Sequence, residues 1–223
     1  MNNILLDSTI IYDKEGIYKL TLNNDSTINI NNSNIKLYLV TENDINLTIN
    51  IKGKVAIYNF TKNNITVDLN LLEKANVEFY QMTITNNNTT NILNAYHKSK
   101  DTISNLICNG ISYDKGNLKF IVNGYVKKGM INSICNQTSR IINLDDAKSM
   151  IKPNLFIEEF DSIANHSAYT GPFDKKILFY LKTKGISENN AYQLLLKGLF
   201  KLNELPKDYE ELIDKMLLEI LRR

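Results

Sequence analysis

The residues best suited to bind a transition metal or to act as a nucleophile are few. The chain has two histidines, His97 and His166, and two cysteines, Cys108 and Cys135. His166 lies outside the regularly alternating segments, where an imidazole could bind iron or an iron–sulfur cluster. The competing interpretation is a histidine that only forms hydrogen bonds between two parts of the chain, and the residues alone leave both open.

Both cysteines follow apolar residues in segments with a β-like pattern. This context favours buried thiols that behave as small hydrophobic groups. A thiolate–imidazole pair between Cys135 and His166 requires a fold that brings them together, which the spacing along the chain does not decide. His97 follows a β-like run, and we expect it in a turn or at the surface.

Several enzyme classes are disfavoured because their motifs are missing. The sequence has no Cys-x-x-Cys, His-Glu-x-x-His or Gly-x-Ser-x-Gly motif and no glycine-rich phosphate loop. We therefore expect neither ATP hydrolysis nor serine or zinc hydrolase chemistry. Glu158 and Glu159 resemble a carboxylate pair for acid–base catalysis. Adjacent residues of a strand point to opposite faces, however, which favours a solvated edge.

The composition is that of a globular protein, with 43% hydrophobic residues and a net charge of +2 among 223 residues. No dense basic patch interleaved with aromatic residues is present, so we expect no nucleic-acid partner. No segment has the pattern of a signal peptide or the length of a transmembrane helix, so we expect a cytoplasmic protein with no membrane partner. Two cysteines in such a chain predict free thiols.

The elements that must position these residues are short β-strands. From Thr9 to about Phe160 apolar and polar residues alternate, as in residues 45–51 and 65–71. Asn, Asp and Gly separate the runs and tolerate the positive φ angles of tight turns. The runs recur every ~8–12 residues, a spacing typical of a sandwich or barrel. A parallel β-helix gives nearly the same pattern, and the two remain open.

After Pro172 the period changes to that of helices. Asp174 and Ser187 are suitable N-cap residues, and Gly185 stands where a helix would end. Apolar residues at 191, 194, 195, 198 and 199 predict the buried face of a second helix, and residues 209–221 predict a third. Three helices over some fifty residues bury little by themselves, so they should pack on the β-domain or on a partner.

Six short motifs occur in a characteristic order. These are residues 97–104, 120–124, 136–137, 153–157, 161–166 and 179–180. Together they resemble the C-terminal half of the SufB/SufD family, scaffold proteins of iron–sulfur cluster assembly that work with the SufC ATPase. The resemblance is strongest between Tyr96 and Leu205.

The resemblance implies a mainly β fold: a right-handed parallel β-helix at residues 1–170, followed by a small helical domain at 171–223 that docks an ABC ATPase. It also implies a non-enzymatic scaffold. The β-helix edge, at about residues 118–157, would pair with a SufB-like subunit or with a second copy. No cofactor would be bound stably, although iron or an iron–sulfur cluster would be handled transiently.

The family's site residues can be carried over to particular positions. His166 corresponds to the histidine that handles iron or the cluster and would be the metal ligand. Thr138 or a neighbour stands where SufB has its cysteine; Cys135 lies close to that position without aligning cleanly and is the second candidate for handling iron or the cluster. Tyr180, Lys184 and Gly185 lie where the ATPase would dock. Ser167 stands where SufB has a glutamate, so the chain looks more like a short SufD that lacks the N-terminal helical region. Two rival interpretations are a secreted-type β-helix polysaccharide lyase or carbohydrate-binding protein, and a purely structural β-solenoid homodimer.

Overall fold

Residues 9–202 and 205–221, the part of the chain described by this computed structural model, form fourteen β-strands followed by three α-helices. The strands are β1 Thr9–Tyr12, β2 Gly16–Leu22, β3 Ser26–Ile30, β4 Ile35–Thr41, β5 Ile45–Ile51, β6 Lys54–Thr61, β7 Ile65–Leu71, β8 Asn76–Thr85, β9 Asn88–His97, β10 Ile103–Ser112, β11 Asn117–Val126, β12 Ser133–Asn143, β13 Lys148–Ile157 and β14 Ser162–Gly171. The helices are α1 Lys175–Thr183, α2 Glu188–Leu199 and α3 Lys207–Leu221.

The strands form two parallel sheets, one of odd-numbered and one of even-numbered strands. Within the described residues each sheet has seven strands, in the orders β1-β3-β5-β7-β9-β11-β13 and β14-β12-β10-β8-β6-β4-β2. Consecutive strands therefore belong to opposite sheets, and each strand pairs in parallel with the strand one coil further on. This topology is a parallel β-helix, which confirms that alternative over the sandwich and the barrel.

The coil length increases along the β-helix. Asn50 and Asn70, which are hydrogen-bonded between adjacent coils, are 20 residues apart, whereas Asn105 and Asn136 are 31 apart. The strands lengthen from seven residues in β5 and β7 to ten in β9 and β11. The larger coils near the C-terminal end of the β-helix thus enclose a wider interior.

Residues that tolerate positive φ angles make the tight turns, as the sequence predicts. Asn34, Asp101 and Asp114 have φ angles of 59°, 57° and 55°. At Gly53 φ is 79°, and a Cβ atom would come within 2.4 Å of Ser33 Oγ. A side chain at position 53 is therefore excluded by backbone conformation and by the neighbouring coil.

The later coils of the β-helix bury polar side chains in addition to apolar ones. In the early coils fully buried side chains stack in register between strands, as Ile49 does on Leu69 and Leu37 on Ile57. Burial of each such side chain contributes about 1.5–3 kcal/mol to the free energy of unfolding. Later coils bury polar side chains as well: Asn59, Gln81, Thr83, Asn91, His97, Ser104, Ser133, Gln137 and Ser139.

Side chains on the outer faces also stack in register. Asn94 Nδ2 donates to Asp68 Oδ1 at 2.7 Å, Asn123 Nδ2 to Asn94 Oδ1 at 2.7 Å, and Asn154 Nδ2 to Asn123 Oδ1 at 2.7 Å. The rings of Tyr58 and Tyr80 stack with centroids 4.6 Å apart. These ladders account for the many asparagines within the strands, because an amide can donate to one coil and accept from the next.

The chain divides into two compact units at Thr170 and Gly171, and the second unit contains the helices. Asp174 caps α1 by accepting from the backbone N–H of Lys176 at 2.8 Å. Gly185 follows the C-cap of α1 with φ of 81°, and Ser187 caps α2 by accepting from Asn190 N. The predicted helix ends at these residues are confirmed.

The buried face of α2 differs from the predicted stripe. Ala191, Leu196 and Leu199 are buried, whereas Leu194 is exposed. The ring of Phe173 contacts Tyr192 edge-on, with centroids 6.0 Å apart, so part of the covered face is displaced from the stripe that includes Leu194.

On α3, Tyr209, Ile213, Leu217 and Ile220 are buried, as the apolar repeat predicts. An ion pair joins α2 and α3, with Lys197 Nζ 2.9 Å from Asp214 Oδ1. In the described part of the chain, no helix has the length and apolar character needed to span a membrane.

Candidate functional site

His166 lies on β14, the last strand of the even-numbered sheet. Its neighbours fix its position: Asn165 Nδ2 donates to Asn136 Oδ1 at 3.1 Å, and Ser167 Oγ donates to Thr138 Oγ1 at 3.4 Å. Both contacts join residues 29 apart, so His166 lies opposite Gln137 of β12. Gln137 points into the β-helix, and parallel register places His166 on the same face. The His166 side chain is exposed.

Cys135 is fully buried on the inner face of β12. The same register places it opposite Ala164, two residues before His166 on the neighbouring strand. Strand spacing and rise put the Cα atoms of Cys135 and His166 roughly 8 Å apart. The fold therefore brings the two predicted site residues to adjacent strands, one enclosed and the other open.

The environment of Cys135 disfavours its thiolate. Burial raises the pKa of this thiol, and a hydrogen bond with Ser104 offsets the effect only in part. Cys108 is also buried, and burial raises its pKa to about 12. Both sulfurs are therefore thiols near neutral pH, as the apolar sequence context predicts.

The expectation that His97 lies in a turn or at the surface is wrong. His97 ends β9 with its side chain inside the β-helix, where Nδ1 lies 2.7 Å from Thr102 Oγ1 and Nε2 lies 3.0 Å from Ser104 Oγ. Burial lowers the pKa of His97 from 6.5 to about 4, so the ring is neutral near pH 7. The missed signal was the alternation of β9, in which Leu93, Ala95 and His97 share the inward face.

Ser104 connects the inner histidine to the inner cysteine. It lies on β10, next to β12, and contacts both His97 and Cys135. Thr102 extends the network through its 3.1 Å contact with Ser133. Sequence reasoning gave neither Ser104 nor Gln137 a role, because serine and glutamine in a strand carry no signal until the coil length is known.

Glu159 is bound to the backbone of two neighbouring turns. Glu159 accepts hydrogen bonds from the backbone N–H groups of Gly129 at 2.7 Å and of Asp161 at 3.2 Å. These bonds, that of Gly129 first, lower the pKa of the Glu159 carboxyl group. Glu159 stabilises the turn between β13 and β14, which is a structural role.

The residues predicted to dock an ATPase lie at the end of α1. Lys184 Nζ is 5.5 Å from the centroid of the Tyr180 ring, and Gly185 directly follows the helix. Tyr180 and its neighbour Phe179 are exposed. The three predicted residues thus form one local surface within the helical unit.

Taken together, the described residues include no group of three or more His, Cys, Asp or Glu side chains placed to hold a metal ion. The candidate site is instead a terminal β-helix strand that exposes one imidazole beside a buried polar network. These features define the class as a β-solenoid protein with a C-terminal helical unit.

Comparison with known proteins identifies the family. The model of the SufBD core domain, described as belonging to SUF system FeS cluster assembly, matches residues 17–199. Because this match covers well over half of the chain, the protein belongs to the SufBD family of iron–sulfur cluster assembly proteins, which confirms the resemblance seen in the sequence.

Curated relatives agree with this assignment. The iron-sulfur cluster assembly protein SufD of Bacillus subtilis is 30% identical over 142 residues, which cover 62% of this chain and 31% of the relative. A SufBD family protein of Synechocystis is 31% identical over 147 residues, with 63% and 30% coverage. One from Mycobacterium leprae is 47% identical over 49 residues, 22% of this chain and 12% of the relative. The chain thus spans about a third of the length of the first two relatives.

Proposed function

We propose that this protein is a SufD-like, non-enzymatic scaffold subunit of an iron–sulfur cluster assembly complex. In this proposal the end of the β-helix pairs with a SufB-like subunit or with a second copy. The end of α1 docks a SufC-type ABC ATPase. His166 contributes one ligand to iron or to a cluster that passes through the paired interface.

The proposal rests mainly on the unpaired strand edges and exposed apolar side chains of the last coil, which consists of β13 and β14. The edge strands here are β13 and β14, so the edge predicted at residues 118–157 requires correction: β11 and β12 lie inside their sheets, and only β13 of that range is an edge. Apolar side chains are exposed along this coil at Met150, Phe156, Phe160, Ile163 and Tyr169. Exposed strand edges with apolar side chains favour pairing with another chain.

A shallow pocket at the same end supports an occupant with an apolar side chain. It has a volume of about 350 Å³, and its lining combines Ile134, Phe160 and Ile163 with four polar residues at 132, 133, 161 and 162. Backbone pairing along β13 or β14 would supply affinity, and the pocket would supply selectivity. His166 lies on the same edge strand, so a paired chain would place its own ligands near the imidazole.

The chemistry of His166 fits iron as a transient cargo. A neutral imidazole nitrogen is a suitable ligand for iron, and an edge position leaves room for ligands from a partner. Cys135 has a different role in this proposal, because its thiol is buried and protonated: it forms part of the inner wall beside the site. Ser167, at the position of a SufB glutamate, favours the SufD-like assignment over the SufB-like one.

The ATPase surface is supported by exposed aromatic side chains on α1. Phe179 and Tyr180 are 70% and 58% exposed, which is unusual for large apolar residues of a helix. Lys184 adds a positive charge beside the Tyr180 ring.

The test is co-expression of the tagged chain with a SufB-like subunit and a SufC-type ATPase, followed by native mass spectrometry of the purified complex. Phe156→Asp with Ile163→Asp should lose the SufB-like subunit. Ile17→Asp, at an isoleucine that is also more than half exposed but lies at the other end of the β-helix, should retain it. Lys184→Glu should lose the ATPase and the exposed Lys215→Glu on α3 should not. Purification of the chain without either partner would overturn the proposal.

A further inference from the structure

Gln137 carries a buried oxygen atom that nothing in the described structure satisfies. Its side chain is 2% exposed, and Oε1 has no hydrogen-bond partner. Its Nε2 donates to the backbone oxygen of Asn154 at 3.1 Å. This hydrogen bond fixes which end of the amide is the nitrogen and which is the oxygen. Buried carbonyl oxygens are normally paired, so Oε1 is an acceptor available to a donor that comes within reach.

The ladder register shows which residue can be that donor. Gln137 lies between Leu106 on β10 and His166 on β14. Leu106 has no polar side-chain atom. The imidazole of His166 has a ring N–H and forms no hydrogen bond with any residue in the described part of the chain. It is exposed on an edge strand, so a change of rotamer can turn it inward.

The amide of Gln137 is held in place before any such contact. A Cβ atom at Gly124 would come within 3.2 Å of Gln137 Nε2, so the backbone of β11 packs closely against the amide. With Nε2 bonded to Asn154 on β13, the amide is fixed by the odd-numbered sheet. A pre-oriented acceptor of this kind can select one tautomer of a neighbouring histidine.

We propose that Gln137 is a positioning residue for His166: Gln137 Oε1 accepts the N–H of one imidazole nitrogen and leaves the other nitrogen free to bind iron. This inference rests on the proposed iron-binding role of His166. Histidines that bind metals usually donate their second ring N–H to such a partner, which fixes the tautomer and raises the basicity of the ligating nitrogen. Gln137 itself does not touch the metal.

The tautomer of His166 is the direct readout. The full chain is labelled with ¹⁵N-histidine, and the ring nitrogens are observed by NMR at about pH 8, above the ordinary histidine pKa. Only two histidines contribute signals, and His166→Ala assigns them. We expect one dominant tautomer at His166 in the unsubstituted protein. Gln137→Met, similar in size but without an acceptor, should give a mixture of both tautomers.

Two internal controls separate positioning from general damage. The signals of His97 should be unchanged in Gln137→Met, which shows that the interior is intact. Ser139 lies two residues away on the same face, with its hydroxyl against the Cys108 thiol, so Ser139→Ala tests whether this hydroxyl, rather than His166, is the partner of Gln137 Oε1. A mixed tautomer in Ser139→Ala, or a single tautomer in Gln137→Met, would overturn the inference.

Anaerobic titration of the complex with the SufB-like subunit, using Fe(II) alone, completes the test. Gln137→Met should weaken Fe(II) binding by about ten- to a hundredfold. If His166→Ala binds Fe(II) as the unsubstituted protein does, the proposed role of His166 fails and the inference fails with it. If His166→Ala loses Fe(II) while Gln137→Met keeps both tautomer and affinity, the inference alone is overturned.

Discussion

His97 Nε2 lies 3.0 Å from Ser104 Oγ inside the β-helix, and Ser104 in turn contacts Cys135. The hydroxyl of Ser104 therefore links His97 to Cys135. Cys135 lies on β12, the strand next to β14, which carries His166. A buried polar network of this kind is stable only while its members keep the protonation states that satisfy it. The predictions below begin with that requirement.

The first prediction concerns pH. In the unfolded chain the pKa of His97 is 6.5, and burial lowers it to about 4 in the folded protein. Between these values the unfolded chain binds the proton and the folded protein does not. The free energy of unfolding is thus not reduced by His97 above pH 6.5. It decreases as the pH falls towards 4, by about 3 kcal/mol in total. Urea unfolding curves between pH 4 and 8 measure it.

A matched pair of substitutions isolates His97. His97→Gln should remove most of this pH dependence, because the amide does not titrate. His166→Ala should leave it in place, since His166 is exposed. An unchanged slope in His97→Gln would assign the pH dependence to other groups.

The second prediction concerns close packing at Gly124. A Cβ atom here would lie 2.4 Å from Cys135 Sγ, so Gly124→Ala should lower the free energy of unfolding by about 1–3 kcal/mol through overpacking. Adding Cys135→Ala removes the sulfur and should restore part of the loss. Additive effects of the two substitutions in a double-mutant cycle would show that the two residues are not in contact.

The third prediction concerns thiol reactivity. Burial raises the pKa of Cys108 to about 12 and also raises that of Cys135, so neither thiol should react with a disulfide reagent near pH 8 while the protein is folded. In guanidinium chloride both should react at once. Rapid labelling of one thiol in the native protein would show that the interior opens at that position.

The fourth prediction contrasts two isoleucines. Ile57 is fully buried between the sheets, and Ile57→Ala should lower the free energy of unfolding by about 2–5 kcal/mol because it leaves a cavity. Ile163 is 56% exposed on the last coil, so Ile163→Ala should change the stability of the isolated chain by less than about 0.5 kcal/mol. A large loss at Ile163 would indicate that this surface is covered in the isolated protein.

The alternating segments predicted the strands well, because a period of two depends only on local backbone geometry. Residues 45–51 and 65–71 are strands with the expected inward faces. The same alternation could not separate a parallel β-helix from a sandwich, since both place one face inside. That distinction requires the identity of the neighbouring strand, which is set by the length of a coil.

The candidate site was predictable only in part. His166 was selected from the sequence because it lies outside the clearly alternating segments, near the change from strands to helices. The structure places it within the strand β14. The position of His97 could have been obtained by continuing the alternation from Leu93 and Ala95, but a polar residue at the end of a run suggested a turn. The exposure of Phe179 on α1 was not predicted, because an apolar residue in a short helix usually predicts burial.

The sequence by itself determined the strands, the turns, the helix caps and the family, because these depend on short-range periodicity, φ preferences and an ordered set of motifs. Only the tertiary structure decided that Cys135 lies beside Ala164, that His166 lies opposite Gln137, and that Ser104 joins His97 to Cys135. The physical reason is register: a separation of 29 residues at the last coil, against 31 at the coil before, sets which side chains meet across the strands. That separation cannot be obtained from any short-range sequence pattern.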